Sequence, residues 1–482
     1  MSNLENFFRL LVPATDGTPF DTPSVELGVK RWVLTEWMPI SEAPPYSCIS
    51  YSWGTGRTEN LLEASRLMSD RTIPAIEATI KASQSPACWE SVQFSFARDA
   101  MKEAEGQAAA LKASQAIWID AICVPTHEPA RSECLRNMGE IYRSAQQVFA
   151  VFSKPCSSIF HQLRDTARLD SSAIFILEQD DWITRGWIYQ EVANGQHLYF
   201  IAQNGESIIV SGLDFLDALT TATNDYRKAH GIDSFTWGEQ HPKLESLENL
   251  IADYRIAEHA ERSAYQVMSV LHQQIVEKAD DYFYAMIGAL TTLSQDSQDH
   301  QILSPSECFM QACEAKGDFS FIYCTAPRSN ISGRGWRPVA DQLQPVLSGL
   351  LASGSGLSGC LNATHLQLKN MCRMPLGRLN SVAQVIGNCL HGNIATTLLE
   401  RLRQKGFTGC GEYLELENGY FFPQSSSTRS KDIFVVASPD VQWAQGAPAL
   451  LLRTNGTDIN QFCDVGVFIG RLPKDCESIN VG

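Results

Sequence analysis

The sequence predicts an α/β protein built on a parallel sheet flanked by helices, followed by a helical extension and a β-rich C-terminal module. Two apolar runs, AIWIDAICV at 116–124 and VFAVF at 148–152, are dense enough to be strands covered on both faces, and a helical pattern lies between them. From position 409 onward the short runs GYFF, DIFVVA, ALLLR and VGVFIG alternate with turn residues, which is the texture of an all-β module.

The chain has 482 residues, 44% of them apolar, enough for two or three domains with cores of their own. Its formal charge of -16 comes from 54 acidic against 38 basic residues with no basic run, so a phosphate backbone is a poor partner and nucleic-acid binding is not expected. Fourteen cysteines are scattered singly without a doubled CxxC, so no metal site is expected, and Cys48, Cys123 and Cys134 sit in apolar patterns where a reduced thiol packs as a small hydrophobe. The start MSNLENFFRLLVP has Glu5 and Arg9 where a secretory signal needs a basic start and a long apolar core. No run approaches the roughly 18 apolar residues of a membrane span, and a cytoplasmic protein is expected.

Residues 1–40 read as a lead-in containing one apolar segment, Phe7 to Val12. Ala43-Pro44-Pro45 delivers the chain into Tyr46–Ser52, a buried strand whose end opens into a loop at Trp53, Gly54 and Gly56. Leu61–Met68 and Ala75–Ala82 have helical composition, and Phe94–Ser114 is an Ala-rich, charged run expected as a surface insertion. The next strand is expected over Ile117–Val124. Asp120 interrupts it, and a carboxylate there either caps a buried network or reaches a site. Apolar positions Leu135, Met138, Ile141, Tyr142 and Ala145 predict a helix from Arg131 to Gln147, feeding the strand at 148–152. A helix near Ser172–Leu177 precedes another over Trp182–Glu191, and strands follow at 197–202 and 205–212. Helical patterns fill 244–275 and 276–290. The expected division is a lead-in at 1–40, the sheet domain at 41–215, a helical extension at 216–300, a mixed region at 301–405 and the β-rich module at 406–482. The string GSGLSG at 354–359 has the glycine spacing of a dinucleotide loop but lacks a preceding strand and a following ribose-binding acid.

The segment DWITRGWIYQE at 181–191 places Trp187 and Glu191 four apart, one helical turn of about 5.4 Å, so an indole stands beside an acid. Glutamate is seldom buried without a partner, so this is either a core helix with a capped acid or the lip of a pocket.

Three blocks in order, YSCISYSWG at 46–54, WIDAIC at 118–123 and WITRGWIYQE at 182–191, together resemble the fungal heterokaryon incompatibility (HET) domain. Tyr46, Ser50, Tyr51, Trp53 and Gly54 agree with its Y-x-x-x-S-Y-x-W-G pattern, and Trp182, Arg185, Trp187, Gln190 and Glu191 with W-x-x-R-x-W-x-x-Q-E. More faintly, FFRLLVP, KADDYFYAMIGAL with its D-x-x-x-A-x-x-G spacing, and RGWRP are similar to elements around such domains. The second block departs: Val124, Pro125 and Thr126 stand where the family continues Ile-Asn-Gln.

The resemblance implies a fold distantly similar to the Toll/interleukin-1 receptor (TIR) domain, a flavodoxin-like parallel sheet, and a role in self/non-self recognition or immunity-like cell death, triggered by self-association or an activating protein partner. By that analogy Glu191 falls where TIR enzymes carry the acid that cleaves NAD to nicotinamide and ADP-ribose or a cyclic variant. NAD is then substrate, and no further cofactor is implied. Nicotinamide leaves neutral from a cationic pyridinium, so one ionised carboxylate that stabilises the oxocarbenium-like ribose suffices, without the second acid an ordinary glycosidase needs. Tyr51, Trp53 and Trp187 are expected as aromatic walls, with Ser50 and the Gly54 backbone toward ribose or phosphate. Arg185 reads more readily as an ion-pair partner fixing the helix, with Asp120 one candidate counter-charge, than as a diphosphate ligand, and both residues stand among the expected substrate-binding set. Tyr46 and Trp182 read as core, and Cys123 with His127 as packing and solvated loop rather than a thiol-imidazole pair. The alternative from another class is a non-enzymatic cell-death adaptor that acts by assembly.

Overall fold

The structure is a computed structural model describing residues 8–60, 62–63, 66–85, 88, 116–203, 208–232, 236–237, 240–241, 243–244, 247, 250, 262–271, 279–290, 303–344, 346, 356–377, 403, 413–425, 432–443 and 446–482. The chain divides into two compact units, Met1–Ile256 with Gln273–Thr292, and Ala257–His272 with Leu293–Gly482.

The first unit is organised around β4 (Tyr46–Tyr51), every residue of which is buried. It pairs in parallel with β7 (Ala116–Trp118) on one side and β8 (Gln147–Phe152) on the other, and β8 pairs in parallel with β9 (Leu198–Ala202). Numbered by appearance in the chain, these four strands lie in the order 2-1-3-4, so the direction of winding reverses between β4 and β8. That is the switch point at whose carboxyl side open α/β sheets bind ligands. Helix α1 (Thr72–Gln84) packs on β4, β8 and β9.

The sheet is mixed rather than wholly parallel. The lead-in folds as β1 (Leu11–Pro13), β2 (Ser24–Leu27) and β3 (Lys30–Leu34), and β1 extends the sheet by pairing antiparallel with β7 through Leu11 and Ile117. At the other edge the two-residue strand β10 (Val210–Ser211) pairs antiparallel with β9. Residues 205–207 of the expected 205–212 strand lie outside the described residues.

Local polar bonding overrides the apolar pattern in several places. The strand expected over Ile117–Val124 stops at Trp118, and Asp120 opens the short helix α2 (Asp120–Cys123), its Oδ1 accepting the Ala121 N–H at 2.6 Å. A short acidic side chain that bonds its own backbone competes with a ladder. The helix expected over Arg131–Gln147 is two, α3 (Ala130–Arg136) and α4 (Met138–Ser144), separated at Asn137, whose Nδ2 donates to the Glu133 carbonyl at 2.9 Å. Leu67–Met68, expected in a helix, belong to strand β6 (Leu67–Ser69), which pairs with β5 (Arg57–Glu59) in a small separate sheet. Phe94–Ser114 lies outside the described residues. Beyond β8 come α5 (Ser157–Thr166) and α6 (Ser171–Glu178), the latter capped by Asp170 accepting the Ser172 N–H at 2.9 Å.

The continuous helix expected over Trp182–Glu191 is also broken. A 3-10 turn at Asp181–Thr184, started by Asp180 Oδ1 accepting the Trp182 N–H at 2.8 Å, ends at an extended Arg185, and helix α7 (Ile188–Asn194) begins after its N-cap Trp187. Every residue of α7 is buried. It packs on α4 and on the helix Ala279–Leu290, the latter meeting α4 backbone to backbone: a Cβ built on Gly139 would stand 2.0 Å from the Gly288 carbonyl oxygen. Gly288 also faces the Gln190 amide, and its carbonyl accepts from Asn194 Nδ2 at 2.8 Å.

The second unit holds helices Ala264–Leu271 and Pro305–Lys316 and an eight-stranded sheet. Two of its strands, β11 (Gly359–Leu361) and β12 (Leu366–Pro375), come from the stretch read as mixed. The others are β13 (Leu414–Leu416), β14 (Gly419–Pro423), β15 (Ile433–Ala437), β16 (Gly446–Arg453), β17 (Ile459–Gly470) and β18 (Glu477–Val481). The pairings are antiparallel except β17 with β18, and Leu416, Phe421, Val435, Leu451 and Phe468 build one core against the sheet.

Candidate functional site

β4 ends on Ser50 and Tyr51, neighbours whose side chains alternate to opposite faces of the sheet, and Ser50 reaches Glu191 on α7. Its hydroxyl donates to Glu191 Oε2 and accepts the Trp182 indole N–H at 2.8 Å. Trp182 is fully buried among Phe152 and Phe200, at ring-centre distances of 4.6 and 5.7 Å, so the indole is core on one side and a hydrogen-bond donor on the other.

Arg185, on the extended residue between the 3-10 turn and α7, links two acids. Its Nη1 lies 3.6 Å from Glu191 Oε2 and its Nη2 3.6 Å from Asp120 Oδ2. Asp120 also accepts the Trp53 indole N–H at 3.0 Å. Five predicted residues, Ser50, Trp53, Asp120, Arg185 and Glu191, therefore form one polar chain at the carboxyl ends of β4 and β7. Helix geometry alone does not predict this, because Arg185 is outside the helix.

The remaining predicted residues stand apart from this chain. Tyr51 is buried, and its hydroxyl shares a 2.7 Å hydrogen bond with Thr72 at the start of α1. Gly54 adopts φ +58°, which the tight turn after β4 requires, and a Cβ there would meet the Arg71 guanidinium at 2.6 Å. The Gly54 carbonyl accepts from Arg57 at 3.0 Å. Trp187 is half-buried at the N-cap of α7, with its carbonyl accepting the Glu191 N–H at 3.2 Å.

The charges are set by burial. Glu191 has 1% of its side chain exposed, and desolvation raises it above the usual carboxylate range against the opposing pull of Arg185 and the Ser50 hydroxyl. Desolvation likewise raises Asp120, opposed by Arg185, the Ala121 N–H and Trp53. Burial works against the charge of Arg185, yet the two carboxylates together hold its guanidinium above its ordinary value. The result is a cation held between two reluctant anions, an arrangement costly for stability alone and typical of sites that act on charge.

Sequence reasoning missed three contributors. Tyr142 on α4 is fully buried beside Glu191 with its ring 5.5 Å from that of Trp118, a placement hidden because the residue also fits the helix's apolar stripe. Asp180 anchors the 3-10 turn to β8, its Oδ2 accepting the Ser153 N–H at 2.9 Å. Arg71 at the head of α1 reaches Asp181 at 3.3 Å and Ser52 Oγ at 3.3 Å. A lone Arg in a turn carries no signal of this in sequence.

Near the carboxyl ends of β4 and β8, Tyr51, Ser52, Arg71, Ser153 and Asp180 bound a cavity of only ≈ 10 Å³ that none of the five network residues lines, and Glu191 itself has 1% of its side chain exposed. A ligand reaches Glu191 only after side chains around it move. Chemically, the cluster offers the Glu191 carboxylate in a dry setting with its counter-ion and a hydroxyl already aligned, able to stabilise a cationic centre brought against it.

A mixed-sheet α/β domain carrying an acid network at its switch point is the class of protein this geometry defines. More particularly, residues 46–191 match the family model described as Heterokaryon incompatibility protein (HET), a span that opens with Tyr46 on β4 and closes on Glu191 itself. The chain carries a HET domain. Neither a curated protein nor a solved structure matches it. Among the described residues, no helix is long and apolar enough to cross a membrane.

Proposed function

We propose that this protein acts in heterokaryon incompatibility or a related self/non-self cell-death response, and that its HET domain does so by hydrolysing NAD through Glu191. The observation that carries the reading is the Ser50–Glu191–Arg185–Asp120–Trp53 chain, which lies at the carboxyl ends of the strands beside the switch point, where open α/β sheets hold their ligands. In such a site Glu191 stabilises the positive charge that develops on the ribose as neutral nicotinamide departs, and Ser50 orients the carboxylate. Arg185 holds Glu191 ionised in the unliganded state and swings toward Asp120 when the ribose takes its place. Binding energy from the rest of NAD opens the closed cluster, and self-association or a protein partner favours the open form.

Purified full-length protein incubated with NAD, dilute and under crowding, tests this by release of free nicotinamide. Release by the parent and its loss by at least about a hundredfold in a folded Glu191→Gln variant support the reading. Equal turnover by the two removes Glu191 from it.

A second reading rests on the same burial. Glu191 is 1% exposed and fully engaged, as expected of a structural network in an adaptor that kills by assembly. It predicts toxicity on expression that survives Glu191→Gln, with no nicotinamide released by either form.

A further inference from the structure

In the second unit, the Sγ atoms of Cys372 and Cys476 stand 3.1 Å apart, although 104 positions separate them in the chain. The sheet brings them together. β12 and β18 run antiparallel with Met371 opposite Glu477, and Cys372 and Cys476 are one position further along the same ladder. The ladder is irregular here, its register shifting between Leu368 and Met371. The two thiols thus sit at the start of β18, beyond the last paired residues Met371 and Glu477. Their environments differ: Cys372 is buried and donates to the Pro473 carbonyl at 3.3 Å, whereas Cys476 is exposed.

We propose that Cys372 and Cys476 are a reversible thiol–disulfide pair, oxidised by a small-molecule disulfide, that clamps the Pro473–Cys476 segment and β18 to β12. The exposed Cys476 attacks as thiolate on one sulfur of the incoming disulfide, forming a mixed disulfide and releasing the first small thiol. Cys372 then gives up its proton and attacks the Cys476 sulfur, expelling the second small thiol. Two protein thiols are oxidised, one disulfide is reduced to two thiols, and the protons end on the leaving groups. This order follows from access, and it agrees with burial and the neighbouring thiol pushing Cys372 up to about 12, which suits a resolving rather than an attacking thiol. Closing from 3.1 Å to a bond of about 2 Å asks roughly an ångström of movement at a strand end.

The clamp has a local target. Cys476 lines a cavity of ≈ 330 Å³ together with Arg373, Glu417, Pro473 and Glu477, large enough for a small molecule, and the segment that the disulfide fixes is one of its walls. Oxidation holds that wall in place, and reduction releases it.

Treating the full chain with oxidised glutathione, then alkylating and mapping peptides by mass, tests the proposal. Expected are a Cys372–Cys476 linked peptide, lighter by two hydrogens, its reversal by dithiothreitol, and a higher Tm for the oxidised than for the reduced protein. Cys372→Ser should leave Cys476 trapped as the glutathione adduct, and Cys476→Ser should give neither species. A parent protein that accumulates the Cys476 adduct without the cross-link, or that links Cys476 to Cys360 or Cys463 as readily, overturns the pair. A cross-linked protein with unchanged Tm overturns the clamp.

Discussion

Ser50 and Glu191, 141 positions apart, share a hydrogen bond in which the hydroxyl donates to the carboxylate, and the same hydroxyl accepts the Trp182 indole N–H. One small side chain therefore aligns the acid and anchors the turn that leads into the acid's helix. Ser50→Ala leaves a buried carboxylate and a buried indole each short of a partner. A loss of about 1–3 kcal/mol is expected, read by denaturant unfolding. If Ser50 orients Glu191 for catalysis, nicotinamide release falls more than the fraction of folded protein does, and Ser50→Thr restores part of it.

Removing Arg185 should cost more than removing either acid. Arg185→Ala leaves Glu191 and Asp120 facing each other without their cation, and losing one partner of a buried pair costs about 3–5 kcal/mol. Arg185→Ala with Asp120→Asn should recover part of that loss. A fully additive double mutant would show that the guanidinium does not couple the two.

The raised value of Glu191 gives its contribution a definite pH dependence. Its carboxyl protonates in the folded chain above the ordinary 4.5 and in the unfolded chain at about that value, so within that window the folded state holds the extra proton. Stability from this group is absent above its folded value, grows as pH falls through the window, and is complete below 4.5. Glu191→Gln abolishes the dependence. The variant's stability relative to the parent should thus decline as pH falls from above the folded value of Glu191 toward 4.5, measured by urea unfolding at each pH.

Gly139→Ala tests the support behind α7. Alanine gains about 1 kcal/mol of helix propensity over glycine, but the new Cβ meets the Gly288 carbonyl oxygen at 2.0 Å. Backbone cannot rotate away, so the helices must separate. Overpacking at about 1–3 kcal/mol outweighs the propensity gain, and a lowered Tm is expected. A raised Tm would show that the two helices adjust freely.

Much of the sheet was legible because burial on both faces writes itself into composition. Tyr46–Tyr51, Gln147–Phe152 and Leu198–Ala202 are strands where their apolar runs predict them. Glycine spacing in Ala279–Leu290 was also informative, and the Gly139–Gly288 approach supplies its reason. Breaks decided by single side chains were not legible. Asp120 ends β7 by bonding Ala121, and Asp180 bends the chain at Trp182, because a carboxylate's choice of backbone partner depends on geometry only the folded chain provides.

The sequence by itself determined the parallel strands at Tyr46–Tyr51, Gln147–Phe152 and Leu198–Ala202, that Glu191 follows Trp187 by one turn, and that the chain carries the motifs of a HET domain, since each depends on periodicity or spacing within one segment. Only tertiary structure decided that Ser50, Asp120, Arg185 and Glu191 form one network, that Tyr51 turns to Thr72 instead, and that Glu191 is sealed from solvent. Those facts depend on which faces of separate segments meet and how much water is excluded between them. No local pattern along the chain encodes that.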